Sequence, residues 1–129
     1  MIKINRKQKK ILIGNLVAFA TCDKQLTPNL IVVQINKIIN NNQILFTDNF
    51  LNKTIKNILE NNHASISVWN SESEEGYQFK GIVEYFKDGK YKTMVSKLKE
   101  NKGYAHKGAV LFTITEIWDL NNPKLICSE

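Results

Sequence analysis

The chain has 129 residues, one domain's worth, with a net charge of +6, 43% hydrophobic and 23% charged residues. These values exclude a multidomain enzyme, a disordered tail, a collagen and a coiled coil. Of the 18 basic residues only Arg6 is arginine, which argues against a sequence-specific DNA reader, because arginine is the bidentate reader of phosphate and guanine.

In chain order, residues 4–14 read as a helix, with Ile4, Gln8, Ile11 and Leu12 on one face and the lysines elsewhere. Lys3, Arg6, Lys7, Lys9 and Lys10 before Ile11-Leu12-Ile13 imitate a signal peptide. Gly14-Asn15 interrupts that run, and nothing approaches the roughly 20 apolar residues of a membrane span. Cys22 and Cys127 form no C-x-x-C pair, and a disulfide framework needs more cysteines. A cytoplasmic protein forming one domain over residues 1–129 is therefore expected, with no membrane partner.

Strands are expected at 16–22, 28–36 and 43–48. Asn40-Asn41-Asn42 forms a hairpin turn between the last two, because Asn tolerates positive φ. Residues 52–62 read as a helix with the apolar stripe Ile55, Ile58 and Leu59. Strands follow at 64–70 and 77–86, and Gly81 in the second marks a bulge or bend. Asp88 opens a third helix with the stripe Tyr91, Met94, Val95 and Leu98, Gly103 fits its stop, and 109–118 is the last strand. The six strands imply a mainly β, antiparallel barrel with flanking helices.

The segment Gln43–Asn57, QILFTDNFLNKTIKN, carries the most chemistry. A strand ends at Thr47-Asp48, and a helix begins with Lys53-Thr54 in its first turn. The first N–H groups of a helix lack internal partners, and the helix dipole adds positive charge there. A lysine at that end is locally unfavourable unless an anion accepts from the free N–H groups, the Thr54 hydroxyl and the Lys53 ammonium. The plainer reading stays open: Asn49 or Asn52 simply caps the helix.

Ala20-Thr21, Pro28-Asn29-Leu30, Thr47-Asp48 and Lys53-Thr54 followed by Asn57 occur in an order that resembles the FMN-binding split-barrel family. Pyridoxamine phosphate oxidases, flavin reductase-like proteins and small FMN-binding proteins belong to it. The resemblance spans residues 10–118 and implies a split β-barrel of Greek-key type, with FMN held at a homodimer interface. It implies that Lys53 pairs with the 5′-phosphate, that Thr54 and nearby N–H groups donate to it, and that Asn49 begins the phosphate loop. Val32, Val33 and Gln34 match the strand lining the flavin ring, and Thr47 and Asp48 its edge against ring and ribityl chain. Tyr104 falls where relatives place an aromatic on the partner subunit's flavin. A deazaflavin in the same slot is a family alternative. Pyridoxamine phosphate oxidases use several arginines to hold phosphates, and this chain has one, so that specific activity is not expected.

No general acid or base stands out, so hydride or electron transfer at the flavin on an unknown small substrate, or cofactor binding without turnover, is the expectation. His63 and His106 are isolated, which argues against a metal site. Two alternatives stay open. One is a small basic barrel binding single-stranded nucleic acid, which the clustering of lysines on helices argues against. The other is a cofactor-free barrel serving as an interaction module.

Overall fold

The computed structural model describes residues 2–122 and 124–128. Helix α1 (Arg6–Gly14) starts at Asn5 with a reciprocal cap: Gln8 N donates to Asn5 Oδ1 at 2.8 Å, and Asn5 N to Gln8 Oε1 at 2.9 Å. Its buried face is Gln8, Ile11 and Leu12, as the periodicity predicts. Strands β1 (Val17–Cys22), β2 (Pro28–Val33), β3 (Lys37–Ile39) and β4 (Gln43–Asp48) follow, then α2 (Lys53–Glu60), β5 (His63–Asn70) and β6 (Glu75–Phe86). Helix α3 (Gly89–Ser96) and a short 3₁₀ turn, Lys99–Asn101, lead to β7 (Gly108–Asp119) and β8 (Lys124–Ser128).

There are eight strands among the described residues rather than six. The strand expected over 28–36 breaks at Val33, and β8 was not anticipated. The Asn turn is where the sequence puts it, but it joins β3 to β4 rather than β2 to β4. Asn40 and Asn41 have φ of 52° and 58°, and Asn42 N donates to Ile39 O at 3.2 Å. Asn40 and Asn41 both take the left-handed conformation that the primed hairpin turns require, within the 40–42 link between the paired Ile39 and Gln43.

The pairings are antiparallel, in the order β2-β1-β5-β6-β7-β4-β3. β2 and β3 sit at opposite ends of this order, yet only residues 34–36 separate them. So short a link reaches about 14 Å at most, so the sheet must curl until its ends meet. β7 pairs with β6 on one edge, while β4 and β8 share the other edge end to end. The register shifts at Lys80/Gly81, the bend that Gly81 predicts. A Cβ at Gly81 would collide with the Thr113 carbonyl oxygen.

The barrel is filled by Phe19, Phe46, Phe79 and Phe112, all fully buried. Phe19 stands edge-on to Phe46 at 4.8 Å. A second core lies outside the wall, where Tyr91, Met94, Val95 and Leu98 cover Leu45, Ala109 and Leu111. β4 is therefore buried on both faces up to its end. α2 departs from its expected stripe: Thr54, Asn57 and Ile58 are buried, and Leu59 is 69% exposed. Among the described residues no helix is long and apolar enough to cross a membrane.

Candidate functional site

The side-chain alternation of β4 sends Phe46 and Asp48 inward and Thr47 outward. Asp48 is 1% exposed, so its carboxylate needs partners to replace lost water. Tyr85 Oη donates to Oδ2 at 2.5 Å, Leu51 N to Oδ1 at 2.9 Å, and Lys107 Nζ lies 3.7 Å from Oδ1. Lys107 N also donates to the Asp48 carbonyl at 2.8 Å. Desolvation, then the hydrogen bond to Asp48, push the Tyr85 phenol well above its ordinary range. The Tyr85 ring lies over Gly108, where a Cβ would approach it to 2.5 Å. Asp48 thus anchors the loop 49–52 from beneath.

That loop delivers the chain to α2 without a side-chain cap. Asn52 occupies the cap position and makes no capping bond with its side chain. Asn49 is used elsewhere: its Oδ1 accepts from His106 N at 2.7 Å, and its Nδ2 donates to Asn101 Oδ1 at 3.3 Å. The start of α2 therefore presents helix N–H groups beside an exposed Lys53. Thr54 is turned the other way. It is 2% exposed, and its hydroxyl accepts from Asn29 Nδ2 at 3.2 Å.

Beside this loop lies a groove of about 380 Å³. Val32, Val33 and Gln34 form one side, Asn36 and Thr47 the floor, Asn49, Phe50 and Leu51 the loop side, and Glu100, Asn101 and Tyr104 the far rim. The structure brings together Val32, Val33, Gln34, Thr47, Asn49 and Tyr104 of the residues expected from sequence. Asp48, Lys53 and Thr54 do not line the groove; they lie beneath or at the adjoining helix start. The two valines differ: Val32 is 64% exposed, while Val33 packs against the barrel core. Tyr104 lines the groove of its own chain and stands edge-on to Phe50, with ring centroids 5.7 Å apart.

The floor is set by a relay of polar side chains, of which the sequence singled out Thr47 but not Asn36 or Asn101. Thr47 Oγ1 donates to Asn36 Oδ1 at 2.7 Å, and Asn101 Nδ2 donates to Thr47 Oγ1 at 2.8 Å and to Val95 O at 2.7 Å. Asn101 is 3% exposed, and each amide bond is satisfied, which fixes the side chains in one arrangement. Asn101 follows a helix in a lysine-rich stretch and carries no motif, so only the folded geometry reveals it. A second depression, about 510 Å³, lies between α1 and the β5–β6 turn. The Lys7–Glu75 ion pair, at 3.7 Å, lies across it, and it contains none of the expected site residues.

The chain is 33% identical over 126 residues to the uncharacterized protein MJ0282 of Methanocaldococcus jannaschii, covering 95% of this chain and 84% of that protein. In fold it is similar to HupZ of Group A Streptococcus, with a TM-score of 0.86, 22% identity, 96% of this chain covered and 100% of that one. It is also similar to an FMN-binding protein from Syntrophomonas wolfei, with a TM-score of 0.71, 16% identity, 86% of this chain covered and 82% of that one. The family model for pyridoxamine 5′-phosphate oxidase matches residues 8–121, a span from α1 through β7 that includes the whole groove and its loop, and the chain belongs to that family.

Proposed function

We propose that the chain binds FMN, with the ring in the groove beside Val32 and Gln34 and the phosphate at the start of α2. One observation carries the reading: a helix start without a side-chain cap, flanked by Lys53, adjoins a groove of ligand size. The lining fits a planar, amphipathic group. Val32, Phe50 and Leu51 supply apolar surface, and Gln34, Asn36 and Thr47 supply a few fixed polar groups. Lys53 and the N–H groups of α2 bind the phosphate, and Asp48 holds the loop that presents them. When bound, the flavin supplies hydride or electron transfer.

The groove is open on the side of Val32. A second copy of the chain is the proposed other wall, which makes the site a shared one in a homodimer. The substrate is a small redox partner.

FMN titration followed by quenching of flavin fluorescence tests the reading. Saturable binding with one FMN per chain is expected. Lys53→Ala should weaken it roughly ten- to hundredfold, the scale of a charged hydrogen bond of about 1.5–3 kcal/mol. No uptake of FMN by the folded chain overturns the reading, and an unchanged affinity in Lys53→Ala removes Lys53 from the phosphate site. Uptake of a deazaflavin in place of FMN keeps the site and changes the cofactor.

A further inference from the structure

We propose that the groove selects planar substrates that are neutral or cationic and turns away phosphate esters and other anions. This deepens the flavin reading and rests on the groove being the ligand site. The net charge of the chain is +6, and 18 of its residues are Lys or Arg, yet none of them lines the groove. Among the described residues, the one charged side chain in the lining is Glu100. Lys99 and Lys102 flank it in the chain, both exposed, and neither belongs to the lining.

Glu100 is held in place. Asn36 Nδ2 donates to its Oε2 at 3.1 Å, and Asn36 is itself fixed by Thr47 from the floor. The carboxylate therefore belongs to the same relay that shapes the groove. Across the rim, Phe50 and Tyr104 are 75% and 51% exposed and meet edge-to-face at 87°. Ring faces left open to solvent attract cations through their quadrupole. A carboxylate and two aromatic rings around one mouth attract a positive planar group and repel a negative one. An anionic substrate would find only neutral amide and hydroxyl donors there, with Glu100 opposing it. The cationic features expected to serve a phosphate, Lys53 and the start of α2, lie outside the lining and are assigned to the cofactor tail.

The test uses three probes with nearly the same ring and different charge: 1-methylnicotinamide (cation), nicotinamide (neutral) and nicotinate (anion). Each is titrated by ligand-observed NMR against the full chain, with and without FMN. The cation should bind about fivefold more tightly than the anion at low ionic strength, the sum of a screened ion pair and a cation–π contact. Added salt should shrink the ratio. Glu100→Gln, at an exposed position, should lower the ratio to the part that the aromatic rings supply, and Glu100→Lys should lower it further. Equal binding of cation and anion by the natural chain overturns the proposal. So does a ratio unchanged in Glu100→Gln, or no binding of any of the three probes to either form. Failure of FMN uptake sinks the flavin reading alone, because the charge preference is also read without FMN.

Discussion

Asp48 shows how a residue serves a site from behind it. The resemblance sets it against ring and ribityl chain, but its carboxylate faces inward and is occupied by Tyr85, Leu51 and Lys107. Strand parity explains the difference: once Phe46 fills the barrel, a residue two positions on points the same way. Of the dipeptide Thr47-Asp48, Thr47 thus lines the groove and Asp48 lies behind it. Tyr85→Phe keeps the ring over Gly108 and removes only the donor to Asp48. It should cost about 1.5 kcal/mol in urea unfolding at neutral pH, the lower end for a hydrogen bond to a charged group at a half-buried tyrosine. Burial raises the phenol of Tyr77 as well as that of Tyr85. Both stay neutral in the folded chain where the unfolded chain begins to ionise, near about pH 10. Their stabilisation is complete below that pH and is lost as pH rises through the folded-state values. Stability should therefore fall above pH 10, and less steeply in Tyr85→Phe; equal alkaline slopes in the two proteins would exclude this role for Tyr85.

At the scale of elements, α2 is the instructive case. Its existence and start were legible, because Asn52-Lys53-Thr54 follows a strand and precedes a short helical run. Its buried face was legible only in part: Ile58 is buried and Ile55 packs against the core, but Leu59 is exposed. Periodicity of apolar residues predicts Ile55, Ile58 and Leu59, whereas the helix buries Thr54 and Asn57 beside Ile58. The reason lies in what it packs on. Asn57 Nδ2 donates to Thr21 Oγ1 at 3.1 Å, and Asn29 Nδ2 donates to Thr54 Oγ1 at 3.2 Å. Two polar staples join the helix to β1 and β2, and a hydrophobic pattern is blind to polar residues that satisfy each other. The same four residues belong to the motifs on which the family resemblance rests, so those motifs mark helix docking as much as ligand contact. Asn57→Ala strands the buried Thr21 hydroxyl, which is 4% exposed. A loss of about 1–3 kcal/mol in denaturant unfolding is expected. A change below a few tenths would mean that the staple contributes nothing.

For the whole molecule, the barrel class was readable from alternation and turn chemistry, while its closure was not. Nothing local in Gln34–Asn36 says that these residues carry the chain from one end of the strand order to the other. The groove forms at that closure, since Gln34 and Asn36 come from the link and Thr47 from β4. The outer surface next to it explains the proposed dimer. Leu30 and Val32 are 68% and 64% exposed, and they pair across the sheet with Ala20 and Ala18. Those alanines pair in turn with Ser65 and Ser67, so two large apolar side chains stand beside a flat face of small ones. Such a face suits burial against a second copy. Leu30 does not line the groove, which separates assembly from direct ligand contact. Leu30→Lys should raise the dimer dissociation constant by roughly tenfold or more, because an unpaired ammonium resists burial. FMN affinity should fall with it, since one wall departs with the partner, and should recover as protein concentration restores the dimer. Sedimentation and FMN titration over a common concentration range read both quantities. A monomeric Leu30→Lys chain that binds FMN as tightly as the natural protein would show that one copy holds the cofactor alone.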